Sequence, residues 1–565
     1  MRRHASVLAL ALAASLVAAP LARAATFVLI NQDGPGEGFN DTTPATPVGG
    51  NNGTTLGQQR LNVFQQAGAI WGATLPSNVT IRVQARFDPL TPCDATSGVL
   101  GSAGAVTVLS DFAGAPLANT WYSIALANKL AGTDLAPSAN DINANFNSSV
   151  DNSTCLGASS WYYGFDGADG TDVDLLAVVL HELGHGLGFQ TFTNLSTGSF
   201  NNNRPDIYAR NLFDRTLGLR WDQMSNGQRA GSATNTGNVV WTGQNVRNAA
   251  PQVLGQAQIV RIDSPSALAG EKEFGTADFG APPPSPSLSA QVVLAEDGLV
   301  PTTDGCSPLV NGAQLAGKIA LLDRGTCTFA EKAQRAQAAG AIALIIGNNT
   351  SGPAPGMSGT DPTITIPVVS LTQDESVLIQ DELAAGGTVT ATIGVDPALL
   401  AGADAEGRVR LYAPSPIEGG SSISHFDITA SPNLLMEPFI NSDLTSSVDL
   451  TQYAFADIGW LGATAAVAAG GPVTGAPRAF NAPNPFRSAT SIRFQMAQAG
   501  RTEVDVFDAR GALVKRLPST WHAAGPQAVE WDGTDAGGRH APAGVYFWRV
   551  KSSDESHSGR MVRIE

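Results

Sequence analysis

Residues 172–189 read DVDLLAVVLHELGHGLGF. Apolar residues run from Val173 through Leu180, so the stretch is expected to form a buried helix, with Thr171 and Asp174 as a capping box at its start. On a helix, positions i and i+4 lie one above the other on the same face. His181 and His185 have that spacing, and Glu182 stands next to the first. Two imidazoles so placed can share one metal ion. Zinc is the expected ion, because it takes nitrogen ligands in a tetrahedral site and can keep one position open for water. Glu182 then sits where its carboxylate can take a proton from that water as it attacks a carbonyl.

A catalytic zinc site needs three protein ligands, and the chain leaves few choices for the third. No Glu occurs between Glu182 and Glu271, which disfavours a glutamate on a following helix. Gly188 provides a turn after the motif, but the position where a compact site would continue is Thr191. The chain has 7 histidines, and beyond the leader and the motif only His425, His522, His540 and His557 remain. The last three fall in a segment that reads as a separate C-terminal domain. His425 is the candidate, 240 residues past His185, and that gap demands an inserted domain. Asp206 or Asp214 is the alternative ligand.

The stretch from Gly419 to Ile440 reads GGSSISHFDITASPNLLMEPFI. A glycine after H-E-x-x-H, a distant Ser-x-Ser-His and then Leu-Met-x-Pro together resemble the leishmanolysin type of metzincin zinc metallopeptidase. The resemblance implies an α+β zincin-type (metzincin) catalytic domain and one catalytic zinc ion held by His181, His185 and His425. It further implies Glu182 as the general base and Met436 on a turn beneath the metal, packing there without coordinating it.

The N-terminus carries Arg2 and Arg3, an apolar run, and Ala22-Arg23-Ala24, the pattern of a secretory signal peptide over 1–24. No later run approaches membrane-spanning length, so no transmembrane segment is expected and the mature protein should be secreted. The formal charge of −16 falls to −19 without the leader, which argues against nucleic acid as a partner. Four cysteines suit an oxidising compartment. They allow three pairings, and Cys93 with Cys155 and Cys306 with Cys327 is the one that respects the domain boundaries.

Residues 25–255 read as the first part of the catalytic domain, with helical periodicity over Leu61–Trp71 and strand alternation over Val79–Phe87. Asp166, Asp169, Asp172 and Asp174 cluster before the zinc helix. Such carboxylates can bind calcium, although polar loop structure and helix capping also account for them. Residues 256–396 differ in kind: KIALLDR, an Ala-rich helix, AIALIIG and further short strands alternate. With Asp-Arg-Gly followed by Cys-Thr-Phe and a helix, this unit resembles the protease-associated (PA) domain, which implies a non-catalytic α/β insertion influencing substrate access or partner binding. Residues 397–462 should return to the catalytic domain with His425 and Met436, and 463–478 reads as an Ala/Gly linker. From 479 to 565 SIRFQM, TEVDVFD, AVEWDG and GVYFWRV alternate as strands between Gly/Asp turns, which points to an all-β sandwich. That segment resembles the immunoglobulin-like domain of flagellar hook-capping proteins and is a candidate for cell-surface attachment.

The expectation is therefore a secreted zinc metalloendopeptidase acting on protein or peptide substrates. The alternatives are an aspartate-liganded zinc peptidase and a non-catalytic surface adhesion protein with a structural zinc site. Structural zinc sites are closed by four protein ligands, whereas three histidines and a base leave one position open.

Overall fold

A computed structural model describes residues 24–461, except 153, 158, 441–443 and 445–446, and most of 479–563. The leader, apart from Ala24, and the whole of the expected linker lie outside the described residues. The chain forms two compact units. One comprises Met1–Asn211, Arg220–Ala230 and Ile440–Glu565; the other comprises Leu212–Leu219 and Gly231–Phe439.

The first unit is built on a four-stranded sheet of β1 (Phe27–Asn31), β2 (Ile81–Asp88), β3 (Gly101–Ala105) and β4 (Ile142–Asn147), in the order β1-β2-β4-β3. The first three in that order run parallel and β3 closes the edge antiparallel to β4. β2 reads IRVQARFD, and its alternate residues Ile81, Val83, Ala85 and Phe87 are buried. That alternation is what a strand with one face on a core requires. A parallel step from β1 to β2 needs a crossover, and helix α1 (Leu56–Thr74) supplies it. Thr55 caps α1 by accepting from the Gln58 amide at 3.2 Å. Val63, Phe64, Ala67 and Trp71 face the core.

α2 spans Ile124–Ala131, and α3, the expected zinc helix, spans Leu175–Leu187. α3 is buried along its whole length. The Trp71 indole N–H donates to the Leu180 carbonyl at 3.1 Å, which ties α1 to α3. Leu175, Leu176, Val178, Val179, Leu180, Leu183 and Leu187 are all buried. At roughly 2 kcal/mol for each such side chain, this burial offsets the desolvation of two imidazoles and a carboxyl on the same helix. The expected capping box is corrected here. Asp174, not Thr171, is the N-cap, its carboxylate accepting from the Leu176 amide at 2.8 Å. The preceding Val173–Asp174 pairs with Trp161–Tyr162 as a short parallel ladder, so the helix cannot begin earlier. It ends at Gly188, whose φ of 122° a side chain would disfavour.

The C-terminal part of this unit holds a three-stranded and a four-stranded sheet, both antiparallel. Gly544–Lys551 alternates inward Tyr546, Trp548 and Val550 with outward residues, as its sequence pattern predicts. Phe486, Trp531, Tyr546, Trp548 and Met561 share one core.

The second unit is dominated by an eight-stranded sheet. Its centre is four parallel strands, Leu288–Leu294, Ile319–Asp323, Ala343–Gly347 and Val368–Leu371, with apolar cores on both faces. Thr328 opens the helix Phe329–Ala338 with a capping box to Glu331. Gln256–Ser264 pairs antiparallel with Thr390–Leu400, and Gln256 stands opposite Leu400. The strand thus runs four residues past the boundary expected at 396. The Ala401 amide donates to the Gly255 carbonyl at 2.9 Å, so the two ends of this sheet's chain meet.

The rest of the second unit is a small ladder that carries His425. Val239–Trp241 pairs with Leu212–Asp214 and bridges to Arg410, and Leu411 bridges to Phe426. Cys93 bonds Cys155 and Cys306 bonds Cys327, as the boundaries imply. Among the described residues no helix is long and apolar enough to cross a membrane.

Candidate metal centre

α3 brings His181 and His185 onto one face with their Nε2 atoms 3.1 Å apart. Two nitrogens each about 2.0–2.1 Å from a tetrahedral zinc would stand about 3.3 Å apart. The Nδ1 of His185 meets the Phe189 carbonyl at 2.9 Å, which Gly188 turns back toward the helix. That contact leaves Nε2 available as a ligand. Burial pushes the His185 imidazole down to about 3; His181 adds to this and the Phe189 carbonyl opposes it. The ring is therefore neutral, the form a metal needs.

Glu182 points toward β3. Burial pushes its carboxyl up to about 8, against a hydrogen bond from the Ala103 amide. Its Oε2 is buried and has no hydrogen-bond partner. A buried carboxylate oxygen without a partner is costly unless something else occupies that side. Gly101 on β3 makes the room, since a Cβ there would stand 2.9 Å from both Cγ and Oε1 of Glu182. The sequence reading missed Gly101 and the Ala103 amide. The only signal for them was the small-residue run Gly-Ser-Ala-Gly-Ala, which has little strand propensity.

His425 is buried, and its Nδ1 meets the Ser421 carbonyl at 2.7 Å, the same backbone arrangement as at His185. Its carbonyl accepts from the Tyr412 amide. His181, His185 and His425 each offer one ring nitrogen, and the three form a group that could hold a metal ion. The donor set is three neutral-capable imidazoles beside a carboxylate oxygen in want of a partner, and it fits zinc. Met436 is fully buried, and its carbonyl accepts from the Phe426 amide at 2.8 Å. A turn from Leu434 to Glu437 carries it.

Neither Asp206 nor Asp214 joins that cluster. Asp206 accepts from the Phe192 and Ala209 amides and the Thr191 hydroxyl. Asp214 accepts from the Thr216 and Leu217 amides and from Asn235. In the acidic loop, Asp166 accepts from the Tyr162 hydroxyl and the Ala168 amide, Asp172 from Ser160, and Asp174 caps α3. Among the described residues these aspartates form no metal-holding group.

Residues 288–379 match the PA domain and residues 483–556 match the FlgD Ig-like domain. Over 121 residues the chain is 37% identical to ER degradation-enhancing alpha-mannosidase-like protein 3 of Xenopus laevis, covering 19% of this chain and 13% of that one. It is 37% identical over 116 residues to probable leucine aminopeptidase 2 of Aspergillus fumigatus, covering 20% of this chain and 22% of the other. Among solved structures it is similar to an aminopeptidase from Aneurinibacillus sp. strain AM-1, at 25% identity and a TM-score of 0.19, over 27% of this chain and 37% of that one. The chain spans less than a quarter of the length of either curated relative.

These comparisons correct the expected catalytic class. The curated peptidase relative is an aminopeptidase and not a metzincin, so the metzincin fold class and the leishmanolysin likeness are withdrawn. The physical reason is that H-E-x-x-H encodes a helix repeat and a ligand set, not a topology. The same metal-binding geometry can be mounted on unrelated folds.

Proposed function

We propose that the chain is a zinc-dependent peptidase, exported and acting on protein or peptide substrates. The observation that carries this reading is the buried, unpartnered Oε2 of Glu182 one residue from His181, on a helix whose two imidazoles converge. His181, His185 and His425 would hold the ion. Bound there, zinc would supply Lewis-acid polarisation of a carbonyl and a lowered pKa for water. Glu182 would accept a proton at Oε2 and pass it to the leaving amine.

The reading includes the domain boundaries 25–255 and, with the insertion now drawn at 256–400, 401–462 for the catalytic part, and 479–565 for the tail. The insertion would govern access to the site and the tail would attach the protein to a surface. A second reading concerns the third ligand. The alternative is a zinc peptidase with an aspartate ligand, Asp206 or Asp214, and the aminopeptidase relative supports that alternative over a metzincin endopeptidase. Side-chain geometry favours His425.

The test measures zinc content and chelator-sensitive cleavage of casein and of an aminoacyl chromogenic substrate by the parent, Glu182→Gln, His425→Ala and Asp214→Ala. Loss of cleavage with zinc retained in Glu182→Gln, and loss of zinc in His425→Ala alone, is expected. Zinc lost only in Asp214→Ala would install the aspartate-liganded site, and the ratio of the two substrates separates endopeptidase from aminopeptidase.

A further inference from the structure

We infer that Asp206 is a positioning residue for His185. It acts by clamping the loop whose backbone orients that imidazole, and the inference rests on the reading of His185 as a metal ligand. After α3 the chain turns at Gly188, and Phe189 presents its carbonyl to His185 Nδ1 at 2.9 Å. Only three residues later the loop is pinned. The Phe192 amide donates to Asp206 Oδ2 at 2.8 Å, and the Thr191 hydroxyl donates to the same oxygen at 2.9 Å. Oδ1 accepts from the Ala209 amide at 2.6 Å, so both carboxylate oxygens are engaged. Asp206 is 2% exposed, which removes water as a competitor for those donors.

A second link runs through Tyr208, two residues from Asp206. Its ring meets the Phe189 ring edge-on at 5.2 Å between centroids, and Tyr208 is itself buried. The segment 206–209 therefore grips the loop at Phe189 by packing and at Thr191 and Phe192 by hydrogen bonds. Thr191 stands where a compact site would place its third ligand, and its hydroxyl is turned to Asp206. The Asp206 carboxylate thus anchors this loop. Removing the partner that hydrogen-bonds a ligating histidine alters metal affinity by about 10–100-fold, and here that partner is the Phe189 carbonyl that Asp206 holds in place.

The mature full-length chain tests this through zinc affinity by chelator competition, the visible spectrum of the cobalt-substituted protein, and circular dichroism. Asp206→Asn keeps the volume and one acceptor but places an amide N–H₂ against donors. It should fold, bind zinc about 10–100-fold more weakly and shift the cobalt bands. Parent-like affinity and spectrum in folded Asp206→Asn would overturn the inference. Loss of zinc as complete as in His185→Ala would also overturn it, making Asp206 a ligand. If Asp206→Asn does not fold, Thr191→Val carries the test with a weakening of a few-fold expected, and no change in it is equally fatal. If His185→Ala binds zinc like the parent, the ligand reading itself fails and takes this inference with it.

Discussion

Gly101 and Glu182 share one space: a Cβ on the glycine would stand 2.9 Å from both Cγ and Oε1 of the glutamate. The strand edge and the carboxylate are therefore fitted to each other across the sheet–helix interface. Gly101→Ala needs no unusual backbone angle but must push the carboxylate aside. A displacement of about 1 Å at a reacting group can cost about 10²-fold in rate. Gly101→Ala should lower kcat by about 10–100-fold while zinc stoichiometry stays at the parent value. A parent-like kcat would show that the glutamate does not need this seat.

Asp174 offers a pH-dependent prediction. Burial pushes its carboxyl up to about 6; the Leu176 amide opposes this, and Asp169 and Asp166 raise it further. An unfolded aspartate titrates near about 3.9. With the folded value above the unfolded one, the native state binds the proton more tightly. Its contribution to stability is therefore fully present below pH about 4 and is lost as pH rises through about 6. Asparagine caps helices as well as aspartate does. The melting temperature of Asp174→Asn relative to the parent should climb between pH 4 and 7. A flat or falling difference in thermal scans would refute the assignment.

The insertion should be removable. Gln256 pairs with Leu400, and the Ala401 amide reaches the Gly255 carbonyl at 2.9 Å. Deleting 256–400 and joining the ends through about two glycines should leave a soluble chain that binds zinc, because the two ends already meet and the linker has only a short gap to span. Zinc-free or insoluble product across several linker lengths would count against it.

The two disulfides should differ in worth. Cys93–Cys155 spans 62 residues and Cys306–Cys327 spans 21. Chain-entropy arguments assign about 4 and about 3 kcal/mol to loops of these lengths. Paired Cys→Ser variants unfolded in urea should show the first as the larger loss, and the reverse order would indicate native-state effects that outweigh the loop term.

What was legible in the sequence was whatever is encoded locally. The burial of α3, its two imidazoles, the strands around Val83 and Ile345, and both cysteine pairs follow from periodicity, spacing and domain order. His425 could be reached by counting, since histidine is scarce in this chain. Contacts between distant segments were not legible. Gly101 lies on a strand too poor in β-branched residues to announce itself, and Asp206 is set by where its loop returns. The N-cap shifted from Thr171 to Asp174 because a two-residue ladder with Trp161–Tyr162 takes the intervening backbone. The metzincin class failed for the opposite reason: a local motif was asked to specify a fold that it does not encode.

The pairing of Gln256 with Leu400 also changes the polymer problem of bringing His425 to His185. Along the sequence the two are 240 residues apart, but with that pair formed the effective contour shrinks to roughly 95. Loop-closure entropy grows with the logarithm of length, so the short circuit lowers the cost by about 0.8 kcal/mol. Once that hairpin-like closure exists, the number of residues beyond it no longer enters the entropy of joining the segments on either side. The length of the excursion can then drift by insertion and deletion while the separation of its two ends stays fixed.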